Sequence, residues 1–309
     1  MPVESSIQHT LASSVSRNGI GLHSAKMVDI TIHPAPENTG IVFRRVDITN
    51  VDTAIPAHCS NIADTMLNSR IMNNEGVTVG TVEHLMAAFF GLGIDNAIVD
   101  VNASELPAMD GSSAPYCQMI NEAGIIAQGA PRRFLRVLKA VTVETDHGKA
   151  EISPSDELII DIAIDFNDSA IGASKYFYIH RNNSFEEEIS SARTFCLYQD
   201  VTKLRAAGYA LGGSLENAIV VDDGTVLNEG GLRYSDEFVR HKTLDCLGDL
   251  YLGGIFVLGH ITASQPSHAL NNKLVKTLLA DESAYEIIES KPEPVILNDT
   301  VREPVAALA

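Results

Sequence analysis

His241 and Asp245 stand four residues apart in the run HKTLD, and Asp249 follows four residues later. In a helix that spacing stacks all three side chains on one face. An imidazole and a carboxylate so placed can give two ligands to one zinc ion, although a solvated face with a weak His–Asp pair has the same spacing. A second pair, Glu83-His84, opens another apolar-periodic run. There is no H-E-x-x-H, so the one-helix metalloprotease site is absent, and His84 alone also reads as a packed or exposed histidine. If the two runs meet, His84, His241 and Asp245 supply three ligands and leave a fourth position for water, as in catalytic zinc sites. Glu83 is then placed to act as the base for a water molecule. His268 is the candidate acid, oriented by Asp249, and Thr194 is a candidate donor to a developing oxyanion.

The elements that must position these groups are legible as pattern. Phe238, Leu244, Leu247 and Tyr251 give the helix over 235–252 an apolar stripe, with Ser235 as its expected N-cap. Gly253-Gly254 ends it and an apolar strand follows over 255–262, then a loop holding His268 and a helix over 270–280. The first half has the same order: a helix over 82–92 capped by Thr81, Gly91 and Gly93, a strand over 96–102, then a helix over 114–123. The registers agree too, since Asp245 lies nine residues before Gly254 and His84 nine before Gly93. Two related halves explain this, although chance repetition of helix, glycine and strand is common in α+β proteins. We expect an α+β fold of two related β-α-α-β domains, 1–128 and 132–300. Residues 183–231 interrupt the second half as a β-α-β-like insertion, and 301–309 form a tail.

Composition narrows the partners. The 309 residues are 45% hydrophobic and 20% charged, an ordinary globular balance, with a formal net charge of −18. That field repels nucleic acid and leaves room for a small ligand matched by local cations. Cys59, Cys117, Cys196 and Cys246 form no C-x-x-C pair, which suits reduced thiols in a cytoplasmic protein. The apolar runs at 85–93 and 250–261 carry glycines and are too short to cross a bilayer, so an integral membrane protein is not expected.

Taken together, GIGLH (19–23), DTML (64–67), TVEHL (81–85), GLGIDN (91–96), MDGS (109–112), ARTF (192–195), LGGS (211–214), DEFVRHK (236–242) and HALNNK (268–273) resemble the UDP-3-O-acyl-N-acetylglucosamine deacetylases. The resemblance spans nearly the whole chain. It implies helices sandwiched between two sheets, with a Zn2+ site at the domain junction. It also implies hydrolysis of the 2-acetamido group of an acylated UDP-GlcNAc, a step of lipid A biosynthesis. By motif it makes His84, His241 and Asp245 the ligands, Glu83 the base, and His268 the acid or oxyanion stabiliser, helped by Asp249. It sets Lys242, Thr194 and Phe195 against the substrate and makes the 183–231 insertion an acyl passage in which Leu204, Ala207, Ala210, Leu211, Leu215 and Ala218 could line the wall. Lys242, Arg240 and Phe166 are then the candidates for the uridine diphosphate, and the apolar end Val305–Ala309 for a regulatory protease. Two departures fall outside the proposed ligands: Ala25 stands where a glycine is expected, and Asn68-Ser69-Arg70 follows DTML where some members carry cysteines.

Overall fold

A computed structural model describes residues 7–290 of the chain. The expected tail at 301–309, including Val305–Ala309, lies outside the described residues. In the first half, β1 (Ile7–Leu11), β2 (Val15–Ile20), β3 (Met27–Pro34), β4 (Ile41–Arg45) and β5 (Ala54–Pro56) come first. Three short strands follow, β6 (Ile62–Asp64), β7 (Arg70–Met72) and β8 (Thr78–Val79), which make a small sheet of their own. Then come α1 (Glu83–Gly91), β9 (Ala97–Val101), α2 (Ala114–Ala123) and β10 (Ile125–Pro131), the last pairing with β1.

The second half opens with β11 (Arg133–Val137), β12 (Val141–Glu144), β13 (Lys149–Ser153), β14 (Leu158–Asp165) and β15 (Ala173–Ile179). An excursion follows, with a π-helical turn at Phe185–Ile189, β16 (Phe195–Leu197), α3 (Tyr198–Ala206), β17 (Ile219–Asp222) and β18 (Thr225–Val226). The chain closes with α4 (Glu237–Tyr251), β19 (Phe256–Ser264), α5 (His268–Ala280) and β20 (Tyr285–Glu289). Among the described residues no helix is long and apolar enough to cross a membrane.

The two large sheets share one topology. In the first, β2, β3, β9, β4 and β5 are neighbours in that order, antiparallel except for β9 with β4. In the second, β12, β13, β19, β14 and β15 repeat the order with β19 parallel to β14, and two more strands join it, β11 parallel to β19 and β20 antiparallel to β11. In both, a helix precedes the central strand and another follows it. Each half also leaves its sheet at the same point, between the fifth strand of that path and the first helix. Of the first-half excursion only a brief strand over 77–81, which contains β8, was expected, since strands of two or three residues give no measurable alternation.

Alternation drives the sheets inward. On β14, Leu158, Ile160, Ile162 and Ile164 are buried and their intervening neighbours are not fully buried. α4 packs on β14 and β15, α5 on β12 and β13, α2 on β2, and α1 lies against α4. α1 and α4 therefore sit in the interior, almost wholly buried, whereas α3 buries none of its residues. Gly248 sets how closely α1 and α4 approach, since a Cβ there would fall 2.0 Å from the main-chain oxygen of Glu83.

Three local expectations change. Thr81 does not cap α1: it adopts φ +56, its buried hydroxyl has no partner, and Val82 occupies the cap position without a side-chain bond. Asn68 compensates in part by accepting from the Thr81 main-chain N–H at 3.1 Å. α4 begins after Asp236 rather than Ser235. His268 is the first residue of α5, not a loop residue, because Ser267 caps that helix by accepting from the Leu270 N–H.

Candidate metal centre

α1 and α4 bring His84, His241 and Asp245 together, all buried, with one potential ligand atom from each within 4.8 Å of the others. Asp245 Oδ1 lies 3.3 Å from His241 Nε2 and 3.7 Å from His84 Nε2. The two imidazole rings stand nearly perpendicular, their centres 5.0 Å apart. Nδ1 of His241 donates to the Ala192 carbonyl at 3.0 Å, which leaves Nε2 as the free lone pair. Burial lowers the His241 pKa to about 4. Burial pushes the Asp245 carboxyl up, but His241, Lys242 and His84 outweigh it and hold it well below the usual carboxylate range.

These residues fit a metal ion. Asp245 Oδ1 is shielded from solvent and accepts no hydrogen bond, a costly condition for a carboxylate oxygen unless a cation takes its place. Two imidazoles and one carboxylate form a donor set suited to zinc, among other divalent transition metals.

Beside this cluster lie two groups able to move protons. Glu83, the residue before His84, is fully buried, and burial raises its pKa. His268 Nε2 stands 3.9 Å from Glu83 Oε1. On its other side His268 Nδ1 bonds Asp249 Oδ2 at 2.9 Å. Burial alone would lower the His268 pKa, but Asp249 and Glu83 raise it to about 9.

A residue not singled out by its pattern ties these groups together. The Ser69 main-chain N–H donates to Glu83 Oε2 at 2.9 Å, and its hydroxyl donates to Asp249 Oδ1 at 2.5 Å. Asn272 Nδ2 donates to the Ser69 hydroxyl at 3.0 Å and to the His268 carbonyl at 2.9 Å, while Asn271 Nδ2 reaches Asp249 Oδ2 at 2.9 Å. Ser69 sits in the first-half excursion, just before β7, where no periodicity marks it.

At the rim, Lys242 Nζ bonds Asp245 Oδ2 at 3.1 Å and lies 5.6 Å from the Phe195 ring centre. Phe195 also packs against Phe166, Phe238 and His241. Thr194 is held by its main chain, donating to the Gly111 carbonyl and accepting from the Ile219 N–H. Gly111 must be glycine there: its φ is +85 and a Cβ would lie 2.3 Å from the Asn217 oxygen. Leu211 and Leu215 lie on the stretch between α3 and β17 and are 46% and 47% exposed. Ala207 is exposed, Leu204 and Ala210 half-buried, and Ala218 buried. Arg240 is engaged elsewhere, bonded to Asp236, Tyr176 and the Glu188 carbonyl and stacked on the rings of Tyr176 and Tyr234. A cleft of about 870 Å³ lined by Arg132, His180 and Phe256 includes none of these site residues.

A family model described as LpxC: UDP-3-O-acyl N-acetylglycosamine deacetylase matches residues 8–280. A protein of Idiomarina loihiensis named UDP-3-O-acyl-N-acetylglucosamine deacetylase is 47% identical over 283 residues, covering 91% of this chain and 92% of that protein. One of the same name from Nitrosococcus oceani is 48% identical over the same shares. Another, from Pasteurella multocida, is 44% identical, again over 91% and 92%.

Proposed function

The chain belongs to the UDP-3-O-acyl-N-acetylglucosamine deacetylase family, and from that premise we propose that His84, His241 and Asp245 hold a catalytic zinc ion beside a Glu83–His268 proton-transfer pair. The protein is a hydrolase that removes the acetyl group from the 2-acetamido nitrogen of UDP-3-O-acyl-N-acetylglucosamine, a step of lipid A biosynthesis. The observation that carries the metal assignment is the solvent-shielded Asp245 Oδ1, without a donor and facing two imidazole nitrogens.

A bound zinc ion would polarise the acetamide carbonyl and make water a better nucleophile. The chain's own residues do the rest. Glu83 Oε1 takes the proton from the attacking water as its oxygen adds to the acetyl carbon. His268 Nε2 gives its proton to the sugar nitrogen as the C–N bond breaks, so that acetate and the free amine separate. Asp249 holds Nδ1 of the same ring and supports its charged form. Thr194 supplies a donor to the developing oxyanion.

For the substrate, Phe195 and Phe166 form an aromatic face beside Lys242, suited to a sugar nucleotide carrying negative charge. Leu211 and Leu215 offer apolar surface to the 3-O-acyl chain, each buried CH₂ contributing about 0.8 kcal/mol. The four cysteines form no disulfide, which supports a cytoplasmic setting. We propose two domains over 1–128 and 132–300, supported by the repeated sheet order, and a regulatory protease as a partner of the apolar end Val305–Ala309, supported only by its sequence.

The test is acetate release from 3-O-acylated UDP-GlcNAc, before and after chelation and with zinc restored. Activity that survives complete metal removal overturns the metal reading. Equal turnover of the sugar nucleotide lacking the 3-O-acyl chain overturns the acyl-binding role of Leu211 and Leu215.

A further inference from the structure

We propose that Ser69 is a positioning residue that sets the Glu83 carboxylate and the Asp249–His268 pair in register for proton transfer. This rests on the roles given above to Glu83 and His268. Each carboxylate has two oxygens, and in each case Ser69 holds the one that faces away from His268. Its main-chain N–H takes Glu83 Oε2, which leaves Oε1 as the oxygen 3.9 Å from His268 Nε2. Its hydroxyl takes Asp249 Oδ1, which leaves Oδ2 for His268 Nδ1. One residue therefore bonds both carboxylates that flank the same imidazole, with Asn271 and Asn272 as further donors to Asp249.

The hydroxyl itself has no freedom left. It donates to Asp249 and accepts from Asn272, and the Asn272 amide also holds the His268 carbonyl. Ser69 is fully buried, so water does not compete for these bonds. The residue comes from the first half of the chain, whereas Asp249, His268 and Asn272 come from the second. Its hydroxyl is thus a direct bond between the half of the chain that carries the base and the half that carries the acid. Partners of this kind, once removed from the reacting atoms, typically change activity by 10–100-fold.

The test measures steady-state kinetics of the metal-loaded enzyme on 3-O-acylated UDP-GlcNAc for Ser69→Ala, Ser69→Thr, Ser69→Cys, His268→Ala and the Ser69→Ala/His268→Ala double variant. Ser69→Ala keeps the main-chain bond to Glu83 and removes only the hydroxyl. We expect kcat to fall about 10–100-fold with KM within about twofold, and Ser69→Thr to restore most of the rate. Because the hydroxyl acts through Asp249 and His268, adding Ser69→Ala to His268→Ala should cost little more. If Ser69→Ala does not fold, Ser69→Cys, nearly isosteric and a weak donor, must show the same kcat-selective loss. A kcat within twofold of the unaltered protein, no rescue by threonine, or full additivity in the double variant overturns the proposal. An unchanged rate in His268→Ala overturns the acid role instead, and with it the coupling assigned to Ser69.

Discussion

Glu83 Oε1 and His268 Nε2 face each other across 3.9 Å, beyond an ordinary hydrogen bond and short enough for one reacting centre to touch both. The gap follows from the fold: Glu83 opens α1 and His268 opens α5, each at the first turn of its helix. A base and an acid on either side of a hydrolysed bond make separate demands, and each can be removed by itself.

Replacing Glu83 by glutamine keeps the shape and removes the basic oxygen. We expect kcat to fall about 10²–10⁴-fold, with metal content and melting temperature near those of the unaltered protein. Elemental analysis beside acetate release checks this; full activity would take the base role from Glu83.

The pH profile should show a basic limb set by His268. Its pKa is raised to about 9, so the proton it must give is present below that value and lost above it. The rate therefore falls as pH rises through about 9. In His268→Ala the remaining activity should lack that limb, and a limb unchanged in the variant would assign it to another group.

Asp245→Ala should abolish stoichiometric metal binding. It removes the carboxylate between His84 and His241 while leaving both rings in place. Binding measured by calorimetry on the apo-protein with zinc reads this without reference to activity. Retention of one tight zinc per chain would remove Asp245 from the ligand set.

Gly248→Ala should disturb the centre without touching a ligand. The added methyl meets the Glu83 main chain at 2.0 Å, so α1 and α4 must separate. A destabilisation of about 1–3 kcal/mol is expected in chemical denaturation, together with weaker zinc binding. An unchanged midpoint would mean that the helices can slide apart freely.

Stability should also decline in acid through His180. Burial lowers its pKa to about 4, against 6.5 when exposed. Between those values the unfolded chain takes up a proton that the folded one refuses, so stability is full above about 6.5 and declines as pH falls toward 4. Some surface exposure of the ring limits the effect to on the order of 1–3 kcal/mol. His180→Asn should flatten this part of the curve; an identical slope would point to other groups.

Much of this site is legible in the sequence because helices print their geometry as spacing. The i, i+4 rule put His241 and Asp245 on one face, and the family resemblance chose ligands over a solvated pair. His84 needed the repeat and then the family resemblance, and the shared strand order supports the register that pairs it with Asp245. Ser69 left no trace, since it acts from an irregular stretch through bonds between residues 14 and 180 positions apart. Thr81 misled because its residue type suggests a cap while its backbone adopts a left-handed conformation. Ala25 does the same at φ +57, filling a position whose conformation favours the glycine that the family pattern predicts.

The matching strand order of the two sheets has a consequence for how such a centre could arise. α1 and α4 occupy equivalent places in the two halves and pack against each other, where two copies of one unit would meet. A strict dimer would present the same residues from each side. Joining the copies in one chain removes that constraint: one side contributes a single imidazole and the base, the other an imidazole, a carboxylate and the acid. The centre lies on the contact between equivalent helices, yet the two sides supply different groups to it.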